Sequence, residues 1–451
     1  VHELTPAWIA NALATERWRG NAAHGPGRAT IDSREAGDGD LFFGLPGERH
    51  AGSEFAAQSL AAGAWGAVVE PAYFEAAAAA AGDDQAVFAV ADPTAALGSL
   101  ARAWRRELGA TVIGVTGSTG KTTTKDILAA LAARTRNVVA TPGNLNTEIG
   151  LPLVLLGAAR GTDAIVLEMA MRGAGQIGEL ARIAEPDVGC IVNVGPVHLE
   201  QLGSVEAVAA AKAELIDALR SGAGAVVPAG EPLLGPHIRS DLHTLAFGEE
   251  GDVWLAGRDG DSFEIALPSG TACVRAGFTA PHLVENLLAA AACCELAGIA
   301  VDGPLEVNFS GLRGEIVAVL GGVTLINDCY NANPVSLRAA LDQLSGTEGR
   351  RIAVLGGMAE LGERSAAYHA DLGAHADAAG VATLVTVGDL ARGYELGFGG
   401  ERHHVDTPLA AAALLRELAL PGDTVLVKGS RSVGLEAVAE RLVEHDGGDG
   451  G

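Results

Sequence analysis

The chain has 451 residues, 48% hydrophobic and 19% charged, the balance of an ordinary globular protein rather than a disordered one. That length exceeds what one core holds, so two or three domains are expected. A formal net charge of −25 argues against nucleic acid as a partner, and it requires any anionic substrate to be met by local cationic groups. No apolar stretch reaches the ~18 residues of a membrane span. The longest candidates, such as Leu287–Cys294, are short and Ala-rich, so no stable membrane association is expected. Val1-His2-Glu3-Leu4 lacks the basic-then-apolar pattern of a secretory signal. The five cysteines (Cys190, Cys273, Cys293, Cys294, Cys329) are odd in number and form no C-x-x-C pair. They argue against a disulfide framework or zinc site and for a reducing, cytoplasmic setting.

Residues 1–92 mix short β-like runs (Gly66–Val69, Ala86–Val90) with Ala-rich helical segments, among them Ala76–Ala81. Asp92-Pro93-Thr94 reads as a boundary and a helix start, with Asp92 as N-cap and Pro93 in the first turn. From 93 to 310, buried-strand candidates at Thr111–Val115, Ala164–Glu168, Gly189–Val194 and Ala223–Val227 alternate with helical patterns. This predicts a mostly parallel sheet covered on both faces. From 311 to 451 the alternation returns, with strands at Val323–Asn327, Arg351–Gly356, Ala382–Val387 and Thr424–Val427. Helices are expected near 334–345, 365–379, 407–418 and 432–444, and together these read as a second, Rossmann-like α/β domain. His445–Gly451 reads as a disordered tail. The fold class is therefore α/β in three domains: a small N-terminal α/β unit, a central phosphate-loop ATPase-like domain with a mostly parallel sheet, and a C-terminal Rossmann-like domain.

Within the central block, a strand turns into a helix through Gly117-Ser118-Thr119-Gly120-Lys121-Thr122-Thr123. Glycines there let backbone N–H groups converge, and a helix start adds a positive dipole end. Lys121 can reach the β- and γ-phosphates of ATP, and the Thr122 hydroxyl can ligate Mg²⁺. Val115 stands where the first glycine of G-x-x-x-x-G-K-[ST] would be, which leaves the shorter G-x-x-G-K-T. Of 31 basic residues only Lys121, Lys125, Lys212 and Lys428 are lysine. Either such a chain keeps lysine where a primary amine is needed, or four survive by chance.

Three further features are weak one by one. Glu168 ends a strand, His198 follows Cys190–Val194, and Lys212 lies in a helical stretch. Alone, these read as readily as a solvated cap, a packed imidazole and a surface lysine. In the last block, Asp328-Cys329-Tyr330-Asn331-Ala332-Asn333-Pro334, Gly356-Gly357-Met358-Ala359-Glu360-Leu361-Gly362 and Val427-Lys428-Gly429-Ser430-Arg431 each suit an ordinary turn.

Taken together and in this order, these segments resemble the Mur ligases. The shortened loop is shared with that family and with the folylpolyglutamate synthetases, which join an amino acid or peptide to a carboxylate. The last block resembles the D-x-Y-N-A-N-P, G-D-M-x-E-L-G and V-K-G-S-R motifs of the Mur ligases that add D-alanyl-D-alanine to UDP-N-acetylmuramoyl-tripeptide. Upstream, Thr141–Gly150 resembles T-x-G-N-x-N-N-E-I-G, with Thr147 replacing Asn. Gly357 stands where Asp is usual and Ser53 where a His is common. In His282-Leu283-Val284-Glu285-Asn286 only His282 and Asn286 carry over.

The resemblance implies an ATP-dependent, peptidoglycan-forming amide ligase whose N-terminal domain holds the UDP-sugar through Ser33 and Arg34. It implies ATP contacts from Gly117–Thr123, Asn286 (at adenine), Arg313, Asp328 and Asn331. Two Mg²⁺ ions are implied on Thr122, Glu168, His198 and a carbamylated Lys212, with Lys121, Glu168, His198 and Lys212 as the catalytic set. Substrate contacts fall to Asn144, Asn146, Thr147, Asn333, Lys428 and Arg431, the last two at the dipeptide carboxylate or the phosphates. The expected partners are the two small-molecule substrates of a monomer. A sibling amide ligase with another amino-acid substrate, or a non-catalytic ATP-binding relative, remains open at this point.

Overall fold

Short runs of buried, β-branched and small residues build four sheets in the structure, a computed structural model in which residues 4–312 and 315–443 are described. In the first sheet, Trp18–Gly20 pairs antiparallel with Ala86–Ala89. The sheet continues in parallel through Gly66–Val69 and Asp40–Phe43 to Arg28–Thr30. Its three inner strands are buried at every position, as parallel strands covered on both faces should be. Asp92 caps the helix Pro93–Leu108 as expected, its carboxylate accepting from the Thr94 and Ala95 amides at 2.9 and 3.0 Å.

The central sheet is parallel throughout. Its order is His243–Phe247, Gly224–Pro228, Val188–Ile191, Thr111–Thr116, Ala164–Glu168, Val138–Ala140. Thr111–Thr116 is thus flanked by the strands that end at Glu168 and lead to His198, and all three deliver their following loops to one edge. The Ala-rich run Leu287–Cys294 lies in the helix Pro281–Ala297, buried against the phosphate-loop helix Lys121–Ala133. Small side chains let the two helices approach closely. No helix among the described residues is long and apolar enough to cross a membrane.

Simple alternation fails between residues 254 and 275. There Trp254–Asp259, Ser262–Leu267 and Gly270–Arg275 form an antiparallel meander, joined in parallel by Gly303–Pro304. Phe263, Ile265, Ala272 and Val274 face inward at period two. The tight turns at Gly260 and Ser269 are ordinary hairpin punctuation.

In the last sheet the unexpected edge strand Glu315–Val319 runs antiparallel to Val323–Asn327. Thr424–Lys428, Arg351–Gly356, Thr383–Val387 and Glu401–Val405 follow in parallel. The final helix starts at Glu436 rather than 432, because Gly434 at φ +74 closes a separate turn over Arg431–Val433. The tail expected at His445–Gly451 lies outside the described residues. All five cysteines are free thiols, and burial pushes Cys294 and Cys329 up to about 12, where they are unreactive.

Candidate active site between the central and C-terminal sheets

The loop after Thr111–Thr116 needs glycine at 120 for two reasons. Its φ is +74, and a Cβ there would lie 2.5 Å from Oδ1 of Asn286. Asn286 is thereby set against the loop from a neighbouring helix. The loop's shape is held by Asn193, whose Oδ1 accepts from the Ser118 and Thr119 amides at 3.0 and 2.9 Å and whose Nδ2 donates to Thr119 Oγ1 at 2.9 Å. The sequence offers Asn193 only as the residue ahead of the His198 segment, with nothing to mark that role. Lys121 Nζ folds back to donate to Gly117 O at 2.8 Å.

Thr122 Oγ1 donates to Glu168 Oε2 at 2.6 Å, and Asn146 Nδ2 donates to Glu168 Oε1 at 2.8 Å. Glu168 itself is buried. One turn further along the phosphate-loop helix, buried Lys125 pairs with Asp126 at 2.5 Å and donates to Thr141 O at 3.0 Å. Asp126 in turn accepts from Ser310 N and Oγ at 2.8 and 3.3 Å, tying this helix to the segment that leads into the last sheet.

His198 sits in the left-handed region (φ 52, ψ 31) at the start of a short helix, and its Nδ1 meets Glu360 Oε2 from the loop after the strand Arg351–Gly356 of the C-terminal domain. Burial pulls its pKa down, partly opposed by Glu360, with the charges of Lys121 and Lys212 also lowering it. Lys212 is not the surface lysine its helix suggests. It is 2% exposed, and its ammonium has no hydrogen bond or ion pair among the described residues. Burial, and then the charge of Lys121, hold its pKa well below the usual lysine range.

From the other side, Asn333 caps the helix Pro334–Ser345 in a capping box with Ser336, and its Nδ2 reaches Ser118 O at 3.4 Å. A Cβ on Gly195 would lie 2.7 Å from Val335 Cγ2, so the two domains are packed at this point. Buried Lys428 donates to Asp328 Oδ2 at 2.6 Å and to Asn331 O at 3.0 Å. Its charge is therefore partly neutralised and not simply free for a ligand. Arg431 is exposed and stacks over the Tyr330 ring at 5.4 Å. A Cβ on Gly429 would lie 3.0 Å from Gly356 Cα, so the Lys428–Arg431 and Gly356–Gly362 segments meet backbone to backbone.

Behind that loop His369 is buried. Nδ1–H donates to Ser365 O at 2.7 Å and Nε2 accepts from Met358 N at 3.0 Å. Burial lowers its pKa below 6.5. The unfolded chain therefore binds the proton more readily, so this contribution to stability is complete above about pH 6.5 and is lost as pH falls. Urea melts at pH 7.5 and 5.5 should show the C-terminal domain weaker at the lower pH, and His369→Gln should flatten that dependence.

A cavity of 670 Å³ opens between these faces. The expected residues Ser118–Thr123, Asn144, Asn146, Thr147, Glu168, His198, Asn286, Asp328, Asn331, Asn333 and Lys428 all line it, together with His282. Gly117, Lys212 and Arg431 do not, and neither do Ser33 and Arg34, which lie in the turn after the strand Arg28–Thr30 of the first sheet. Arg34 is spread over Asp32, whose carboxyl it holds down at about 2. Ser53 is internal, its hydroxyl donating to Gly44 O at 2.9 Å and accepting from Glu70 N at 3.1 Å. Arg313 lies outside the described residues. A second hollow of 730 Å³ at the opposite edge of the central sheet has its cations already paired, Arg105 and Arg220 both to Asp187 at 2.8 and 2.5 Å. It carries no comparable chemistry.

A phosphate loop at the carboxyl edge of a parallel sheet, faced across a cavity by a second Rossmann-like sheet, defines a nucleotide-binding α/β protein with a site shared between domains. The Mur ligase middle domain matches residues 115–294, the glutamate ligase domain of Mur ligases matches 312–431, and the Mur ligase family catalytic domain matches 28–105. A UDP-N-acetylmuramoyl-tripeptide–D-alanyl-D-alanine ligase of Mycobacterium tuberculosis is 37% identical, over 98% of each chain. The crystal structure of MurF from Acinetobacter baumannii superposes with a TM-score of 0.87 at 30% identity, covering 98% of both chains. MurF ligase from Thermotoga maritima, solved in complex with ADP, gives 0.81 at 32% identity, covering 92% of this chain and 96% of that one. The chain belongs to the Mur ligase family and has its three-domain architecture.

Proposed function

We propose that this chain is the ATP-dependent ligase that joins D-alanyl-D-alanine to UDP-N-acetylmuramoyl-tripeptide, forming the pentapeptide precursor of peptidoglycan. The carrying observation is the Thr122–Glu168 pair beside Lys121, facing Asp328 and Lys428 across one cavity. The relatives named for this reaction, similar over almost the whole chain, support the choice of substrates. We assign the work to three units: 1–92 for the UDP-sugar (Ser33, Arg34), 93–310 for ATP, and 311–451 for closing the site.

The tripeptide's terminal carboxylate attacks the ATP γ-phosphorus, the bond to ADP breaks, and an acyl phosphate forms. The dipeptide amine then attacks the carbonyl carbon, and phosphate and a proton leave. The protein's part is positioning and charge compensation. Gly117–Thr123 cradles the phosphates and Lys121 neutralises the γ-phosphoryl group. Asn286 is assigned to adenine, and Asp328 and Asn331 to the nucleotide from the third unit, with Arg313 given the same role. Asn144, Asn146 and Thr147 are assigned to the tripeptide and Asn333 and Lys428 to the dipeptide, with Arg431, outside the cavity lining, reaching the dipeptide carboxylate or the phosphates. Thr122 and Glu168 present hard oxygen donors of the kind Mg²⁺ takes, and His198 with carbamylated Lys212 would complete a second position. When bound, Mg²⁺ would offset the repulsion between ATP and the attacking carboxylate. We assign a monomer acting on small-molecule substrates, and the five free thiols suit a reducing, cytoplasmic setting.

The test is ADP release from ATP and UDP-N-acetylmuramoyl-tripeptide. It should depend on D-alanyl-D-alanine and stay at background with glutamate or diaminopimelate. Turnover with either of those instead would reassign the chain to a sibling ligase. Nucleotide binding without carboxylate-dependent turnover would make it a non-catalytic relative.

A further inference from the structure

Glu360 belongs to the Gly356–Gly362 motif, but the reaction as described gives it nothing to do. Its carboxylate sits on His198 Nδ1 across the boundary between the central and C-terminal domains. A carboxylate can only accept, so Nδ1 carries the proton and Nε2 is left with a lone pair, on a residue that lines the cavity. Metal-binding imidazoles are oriented in this way, by a carboxylate on the nitrogen that does not bind.

The backbone supports the contact from both sides. His198 and Glu360 are both non-glycine residues in the left-handed region, at φ 52 and φ 61. Such residues are uncommon and strained, and they persist where their surroundings impose them. Here the surroundings are each other's chains, since Glu200 N, two residues past His198, donates to Glu360 O at 3.3 Å. The main-chain bond and the side-chain bond fix the same pair of segments.

We propose that Glu360 is a positioning residue for His198, setting the imidazole so that Nε2 can ligate a metal ion only while the C-terminal domain is docked. This rests on the reading of His198 as a metal ligand. Its consequence is that closure of the third domain completes the second metal position, so the site is not assembled before the domain carrying the dipeptide contacts has arrived.

The experiment uses the full-length protein with a saturating β,γ-imido analogue of ATP and counts bound Mn²⁺ by electron paramagnetic resonance of the free ion. Wild type should bind a second Mn²⁺ that His198→Ala loses. Glu360→Ala should weaken that second ion by about 10-fold or more. Glu360→Gln, whose amide oxygen still accepts from Nδ1–H, should retain most of the affinity, a rescue that mere domain packing would not predict. Adding Glu360→Ala to His198→Ala should cost nothing further, because the two act as one unit. If Glu360→Ala melts early, Glu360→Met keeps the volume without the acceptor and should show the same loss of metal. Second-ion affinity unchanged in the alanine or methionine variant, with His198→Ala still defective, overturns the role of Glu360 and leaves the metal reading standing. Unchanged binding in His198→Ala overturns both.

Discussion

Lys121→Ala should cost at least about 10²–10³-fold in kcat, as expected when one fixed group that stabilises transition-state charge is removed. Lys121 is the first residue of its helix and its Nζ lies 2.8 Å from Gly117 O, inside the turn where the phosphates must sit. Asn193 already occupies the Ser118 and Thr119 amides, which leaves the ammonium as the strongest positive group on the loop. Alanine is the best helix former, so stability should move by no more than about 1 kcal/mol. Arginine should not rescue, because the guanidinium is planar and too bulky for a turn this tight. The check is D-alanyl-D-alanine-dependent ADP release beside a thermal melt. Near-normal turnover in a folded variant would sink the assignment of the loop.

What was legible in the sequence was local chemistry. The GKT loop, the Asp92 cap and the buried strands of the last sheet depend on neighbours in the chain, and the structure has them where the residues imply. The meander at 254–275 escaped because its alternation is short and interrupted, so that a period of two passed for noise. Glu315–Val319 has only one inward residue, Val319, clearly buried, and reads as loop for want of a pattern. Pairings between residues far apart in the chain had no local sign at all. Nothing near Glu360 announces His198, 162 positions away, and nothing near Lys428 announces Asp328 at a separation of 100. Lys212 was the most misleading, since Ala209-Ala210-Ala211 flanks it with side chains too small to say which face is buried.

That burial gives the second large effect. A buried amine with no hydrogen bond or ion pair among the described residues, whose pKa is held low by burial and by Lys121, is neutral at a pH where surface lysines are charged. A neutral amine can attack carbon dioxide, forming the N–C bond and releasing one proton, so that a carbamate anion replaces a potential cation. The exchange would also turn repulsion between positions 121 and 212 into attraction, and it would supply the oxygen donor that Mg²⁺ prefers. Lys212→Arg should therefore be as inactive as Lys212→Ala, each by about 10²-fold or more, because a guanidinium keeps the charge but cannot take up carbon dioxide. Activity of the wild type should fall in buffer stripped of carbon dioxide and return on adding bicarbonate. It should also fall with decreasing pH, as protonation of the amine competes with carbamylation. A ¹³C-labelled carbamate signal lost in Lys212→Ala would locate the modification. Full activity without carbon dioxide, together with an active Lys212→Arg, would leave Lys212 as a buried amine and remove it from the proposed metal ligands.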